Sequence, residues 1–330
     1  MLAFVVRRFF SMAITFILIS IISFIIIQLP PGDVVSNFVR QQEAVSGTSL
    51  PAETAEMLRQ RYGYGEPIYM QYLKWVAGFP SGNFGISVVY GDAEVADLIG
   101  RRIGLTLLLV GSTLVFSWAL AIPFGIYAAT HKNQLTDYLL SGFSFIGISV
   151  PDFLLAIIYL FIVVFVLKAD YAGGLFSPQY MDAPWSWERF LDLLAHLPAP
   201  LIILGLGGMA GTFRIMRANL LDVLDQQFIE AARAKGLSER VVIYKHAARI
   251  AINPLISRLG LQLPILLSGA VIISIVLDLP TLGPPFLRAL RDQDSFLAGT
   301  ILLMLATMLL VGNFLADILL AWSDPRIQYD

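Results

Sequence analysis

The side chains able to ligate metals, attack carbonyls or move protons are few in this sequence and poorly spaced for such work. Its three histidines, His131, His196 and His246, lie far apart and fall in no H-E-x-x-H or other ligand spacing. Cysteine is absent, which removes disulfides, thiolate catalysis, iron–sulfur ligation and cysteine zinc sites together. No G-x-x-x-x-G-K run followed by Ser or Thr occurs, so the chain cannot cradle nucleotide phosphates in the P-loop manner. Nor is any pair of carboxylates convincingly arranged for acid–base work. Asp152 stands out because it follows Pro151 roughly half way along an apolar run, where a carboxylate is costly unless it faces protein or water. Two readings stay open for it. It is a functional position on a polar path, or it serves the structure, bonding the backbone freed by Pro151 or lying near the outer interface. Gln262, on another apolar run, either lines a polar path or bonds a neighbouring helix.

The elements that must position these residues are membrane helices. Hydrophobic residues make up 57% of the 330 and charged ones only 14%, against about 25% charged in soluble domains. About 20 consecutive apolar residues cross a bilayer, and the sequence predicts six such spans, at 9–29, 103–129, 138–167, 198–217, 255–277 and 296–321. The fourth is the weakest, since its strictly apolar part, 201–213, is short. The first resembles a secretory signal, but it exceeds the usual apolar core of one and ends in Gln28-Leu29-Pro30-Pro31-Gly32 with no small-residue cleavage site. It is therefore expected to be retained, with Arg7 and Arg8 on the cytoplasmic side.

Net charge is only −2, so its sign matters segment by segment. Basic residues favour the N-terminus and 218–254, whereas 30–102 and 168–197 are net acidic, as the positive-inside rule expects with both termini cytoplasmic. Arg101 and Arg102 run against that bias and are expected on a helix leading into the second span. Segment 30–102, extracytoplasmic in this reading, is too long for a turn and suggests a small subdomain or interfacial helix, with its tyrosines and Trp75 at headgroup level. The loop at 168–197, with Trp185 and Trp187, is expected at the same level. In "GLGGMAG", Gly205, Gly207, Gly208 and Gly211 permit close helix packing or, alternatively, a hinge.

The most informative polar stretch is "DQQFIEAARAKGLSERVVIYKHAARIAINP", residues 225–254. Asp225 is placed to cap a slim helix containing Ala231, Ala232 and Ala234, and Gly236 to end it, with Leu237 following. Ser238 is placed to cap a second helix running to about Ile250, before Pro254 ends the pattern. A plain basic loop is the bland alternative. However, a tether needs only a few residues, and three alanines remove bulk rather than add solubility, which suits insertion into a partner's groove.

This stretch resembles the EAA loop of permease subunits of ATP-binding-cassette importers, in particular the dipeptide, oligopeptide and nickel branch. Glu230-Ala231-Ala232, Gly236, His246-Ala247-x-Arg249 and Pro254 carry the likeness, while Ile250 stands where the family favours Asn. "FVVRRFF", "LPPGD", "YGYGEPIYMQYLKW", "GNFGIS", "VPDF", "LGLQLPILLSGAVI", "LPTLG" and "WSDPRIQY" follow in the family's order. The resemblance implies an all-α membrane protein with six transmembrane helices, the type I importer domain, and 218–254 as a cytoplasmic coupling elbow. Glu230, Ala231, Ala232, Arg233, Lys235, Gly236, Leu237, His246 and Arg249 would then engage a separate ATPase, with Pro151, Asp152, Gln262 and Ser274 on the pathway.

It also implies a second permease subunit, two ATPase subunits that bind ATP and Mg, and an external substrate-binding protein. This chain itself would need no cofactor and would lie in a bacterial or archaeal inner membrane. Peptide is the favoured substrate, with oligosaccharide or nickel as alternatives. Ser274 stands where many relatives carry glutamate, which bears on substrate. From other classes, an ion-coupled secondary transporter or a non-transporting scaffold remains, the former predicting paired intramembrane charges and inverted repeats.

Overall fold

The computed structural model describes residues 2–47, 51–168 and 173–323. The tail 324–330, expected to be cytoplasmic, lies outside the described residues, as do 169–172 of the loop at 168–197. In chain order the helices α1 (Leu2–Gln28), α2 (Val34–Ser46), α3 (Ala52–Arg61) and α4 (Ile68–Gly78) precede a two-stranded antiparallel hairpin, β1 (Ile86–Ser87) with β2 (Ala93–Glu94). Then come α5 (Val95–Thr130), α6 (Leu135–Ser149), α7 (Asp152–Phe161), α8 (Trp187–His196) and α9 (Pro198–Leu224). Short helices α10 (Gln227–Ala234), α11 (Glu239–Val241) and α12 (Ala248–Ala251) lead to α13 (Asn253–Val276), α14 (Gly283–Arg291) and α15 (Ser295–Ser323).

Among the described residues, five helices are long and apolar enough to cross a membrane: α1, α5, α9, α13 and α15. The pair α6 and α7, whose second half continues to Val166, passes the same test only when taken together and counts as a sixth if the bent pair is one broken span. The continuous third span expected at 138–167 is therefore corrected to two helices bent by 94°. The cause lies at Val150, held extended (φ −97°, ψ 122°) before Pro151, which has no N–H to continue α6 and starts the next helix instead. Arg101 and Arg102 lie on the leading turns of α5, whose 36 residues give about 54 Å, well beyond a bilayer core.

The chain divides into two packed units. One comprises the residues up to Thr106 with Pro280–Leu310. In it, Asp33 starts α2 by accepting a 2.6 Å hydrogen bond from the Ser36 amide and a 2.8 Å bond from Arg59 Nε. Burial works against the Asp33 carboxylate, but the bonds from Ser36 and Arg59 outweigh it and hold its pKa below the usual value. Protein side chains surround Trp75. It is 3% exposed, packed on Phe24 and Leu303, and its indole N–H donates to Thr300 Oγ1 at 3.1 Å. Asp294 begins α15, accepting from Ser87 Oγ at 2.6 Å and the Leu297 amide at 3.1 Å.

The other unit comprises Leu107–Leu279 with the residues from Val311 onward. Its axis is α9, which packs on α6, α7, α8, α12 and α13. This is the span with the weakest apolar signature, yet half of its most apolar stretch is buried, against 17% for α1. A helix enclosed by protein has less need of lipid-compatible side chains and can use small residues for close approach. Gly147 of α6 lies against Leu206 and Ala210, Gly205 faces Phe116 and Ser117, and Gly125 of α5 meets Met216. Asp137 at the start of α6 takes a two-pronged bond from Arg217, 2.6 Å from Nε and 2.7 Å from Nη2, together with the Asn133 amide at 3.0 Å.

Candidate functional site

Two places in the second unit carry the residues singled out above. The first is the elbow. Helix α10 starts at Gln227 after Gln226 and has no side-chain cap, so Asp225, which lies just past the end of α9, does not cap it. Its C-terminal end follows the expected chemistry. Gly236 has φ +78°, its amide donates to Arg233 O at 2.9 Å, and the Leu237 amide reaches Ala232 O at 3.4 Å, a Schellman closure. Ser238 occupies the capping position of α11 without a side-chain bond. The second helix passes through a π-helical segment, Val242–Ala247, which includes His246, before α12. Pro254 does not end this pattern. It lies in the first turn of α13, where a missing N–H is tolerated.

The elbow has a packed inner face and a free outer one. Ile229, Ala232, Val242, Ala247, Ala248 and Ala251 are buried against Met216, Leu220 and Val223 of α9. Glu230, Ala231, Arg233, Lys235, Gly236, Leu237 and Arg249 are exposed, and His246 is partly so. Across the corner, Arg233 grips Glu239 through Nε (3.1 Å) and Nη2 (2.7 Å). This hydrogen bond holds the Glu239 carboxyl below its ordinary pKa and raises that of the guanidinium.

The second place is a cavity of about 270 Å³ walled by α5, α7, α9 and α13. Asp152, in the first turn of α7, opens into it beside two glycines: a β-carbon at either Gly207 or Gly269 would come within 3.6 Å of its carboxylate oxygens. Asp152 is half-buried and, among the described residues, has no hydrogen bond or ion pair, so it does not serve the backbone freed by Pro151. Gln262 both lines the cavity and joins helices, accepting from Trp118 Nε1 and donating to Thr212 Oγ1, each at 2.9 Å. Gly211, unlike Gly205, faces open space in the cavity wall. Ser274 is 1% exposed near the end of α13 and does not line this cavity, its carbonyl accepting the Leu279 amide at 2.8 Å. Pro151 is exposed at the bend.

Sequence reasoning missed Arg258. It borders this cavity and a larger one of about 870 Å³ that also reaches Arg214 and the Asp137–Arg217 pair, and among the described residues it has no ionic partner. The available signal was a charge only four residues into a span, the same kind of signal that drew attention to Asp152. Asp137 with Arg217 was also missed, since neither flags the other without the packing of α6 on α9. Chemically, a half-buried carboxylate and an exposed guanidinium on one cavity can hold a polar or charged group between the helices.

Residues 121–329 match the family described as binding-protein-dependent transport system inner membrane component, and residues 1–107 match the N-terminal membrane component of such systems. Among curated proteins, the chain is similar to the oligopeptide transport system permease protein AppB of Bacillus subtilis, 33% identical over 329 residues and all of both chains. It is 30% identical over 329 residues, again all of both chains, to the oligopeptide transport system permease protein OppB of Haemophilus influenzae. With the dipeptide transport system permease protein DppB of Escherichia coli it shares 30% identity over 344 aligned residues, all of this chain and 99% of that one.

Proposed function

The chain belongs to the binding-protein-dependent transport system inner membrane components, and from that premise we propose that it forms half of a peptide translocation pathway driven by separate cytoplasmic ATPases. It is a multi-pass membrane permease subunit of an ATP-binding-cassette importer. Peptide as cargo is supported by end-to-end similarity to permeases named for oligopeptides and dipeptides. A second, distinct permease subunit completes the pathway, an external binding protein delivers substrate, and two ATPase subunits hold ATP and Mg. The charge bias of the loops supports both termini and the elbow on the cytoplasmic side of a bacterial or archaeal inner membrane.

The observation that carries the coupling role is the two-faced elbow. Its outer residues Glu230, Ala231, Lys235 and Leu237 are free to enter a cleft, while Ile229 and Ala232 fix the same helix to α9. A push on the outer face therefore reaches the base of the spans. Alternating access follows when nucleotide and substrate favour different arrangements of those spans. Pro151, Asp152 and Gln262 belong to the pathway in this reading, and buried Ser274 does not.

The test is co-expression with the partner subunits and reconstitution into vesicles containing ATP, followed by uptake of labelled tri-alanine and of labelled maltotriose. Tripeptide uptake that requires ATP and the binding protein is expected. Uptake of maltotriose alone overturns the peptide reading, and failure to capture any ATPase overturns the coupling.

A further inference from the structure

Asp152 and Arg258 are two opposite charges on one cavity wall, each without a partner among the described residues. A half-buried carboxylate among apolar helices is costly unless it is paired or solvated, so unpaired Asp152 calls for a partner that comes and goes, and Arg258, exposed in the second turn of α13, offers the opposite charge at the same cavity. Their surroundings support this. Gly207 and Gly211 leave room in the cavity wall near the carboxylate, whereas the space at Gly269 is taken by Leu204. Apart from the two charges, the wall is largely apolar and adds the neutral polar groups Gln262, Thr212 and Ser117, which suit a peptide backbone. Of these, Gln262 is already held at both ends of its amide, so it presents a fixed orientation.

We infer that this cavity is a dipolar way-station for short peptides with free ends, Asp152 taking the ammonium and Arg258 the carboxylate. The inference rests on the peptide reading above and adds a length. Eleven residues of α13 separate Arg258 from Gly269, beside which Asp152 lies, a rise of roughly 16 Å. An extended chain covers about 3.3–3.6 Å per residue, so a peptide of about four to five residues bridges the two charges. A dipeptide reaches one of them at a time.

The test uses the purified complex of this chain with its partner permease and ATPases, without binding protein, so that end recognition by the binding protein cannot contribute. Equilibrium dialysis would compare tetra-alanine, its N-acetyl form, its C-terminal amide and di-alanine. Loss of one charge-assisted contact is expected to weaken binding about tenfold or more, so each blocked form and the dipeptide bind less well than tetra-alanine. Asp152→Asn should bind the free and acetylated peptides equally while still preferring the free carboxylate, and Arg258→Gln should show the converse. Equal binding of all four ligands by wild type overturns the way-station. So does loss of the partner permease from the Asp152→Asn complex, which would mean that the carboxylate pairs with that subunit. A complex that imports tetra-alanine from its binding protein, yet binds none without it, overturns the way-station and leaves the peptide reading intact. Failure to import any peptide overturns both.

Discussion

The elbow and the cavity sit on the same helices and are built in opposite ways. Around Ile229 and Ala232 apolar side chains close on one another, the helix end is tied off by backbone bonds at Gly236, and Arg233 finds Glu239. Around Asp152 and Arg258, Gly207 and Gly211 leave room in the cavity wall, and opposite charges face it without partners among the described residues. A region that closes all its own interactions keeps its shape and can transmit displacement. A region that leaves them open can exchange occupants. The boundary falls along α9 and α13, which reach both places, so movement of one is mechanically available to the other.

The strongest way to break this contrast is to hollow out the elbow. Ile229→Ala should cost about 2–4 kcal/mol and lower the melting temperature of the complex, whereas Ile265→Ala, at a cavity-lining position that is 72% exposed, should change it little. Similar losses at both positions would remove the distinction. Next in size is Asp137→Ala, which strands Arg217. Because Asp137 is nearly buried and Arg217 about a quarter exposed, a loss of about 2–3 kcal/mol is expected in denaturant titration. Gly236→Ala forces a β-carbon into φ +78°, with no neighbour within 4 Å to clash. Backbone strain alone predicts about 1 kcal/mol, read as weaker ATPase capture, with Gly236→Asn milder.

The smallest effect sharpens the contrast through pH. Glu239 has its pKa lowered by the bond from Arg233, so the stability that the pair contributes is present above the ordinary carboxylate pKa. It disappears as pH falls through the depressed value. Both side chains are largely exposed, so a double-mutant cycle with Arg233→Gln and Glu239→Gln at neutral pH should give only about 0.5 kcal/mol, shrinking in high salt and at low pH.

How much of this was legible in the sequence depends on the range of the physics involved. The corner at Gly236 was legible because a left-handed helix end is a local demand that few residues meet. The spans were legible from their apolar runs, and α9 looked weak only because hydropathy measures suitability for lipid, while this helix is surrounded by protein. The 94° bend at Pro151 had a local signal, the extended preference of Val150 before proline, which an unbroken apolar run concealed. The burial of Trp75 and Ser274, and the pairing of Asp137 with Arg217, arise from contacts between elements distant in sequence, and no local pattern encodes them. Arg258 had a signal, an unexplained charge inside a span. Its significance appears only once α7 brings Asp152 to the same cavity.

The most direct test of the elbow as a coupling surface uses the absence of cysteine in the natural chain. Single cysteines placed at Ala231, on the exposed face, and at Ala232, 8% exposed on the packed face, would each be offered to a cysteine scanned along the cleft of the partner ATPase. Rapid disulfide formation from 231 and none from 232, with the 231 yield changing on ATP addition, is the expected result. Equal cross-linking from both positions, or none from either in a complex that still transports, would contradict the two-faced elbow and its role in coupling.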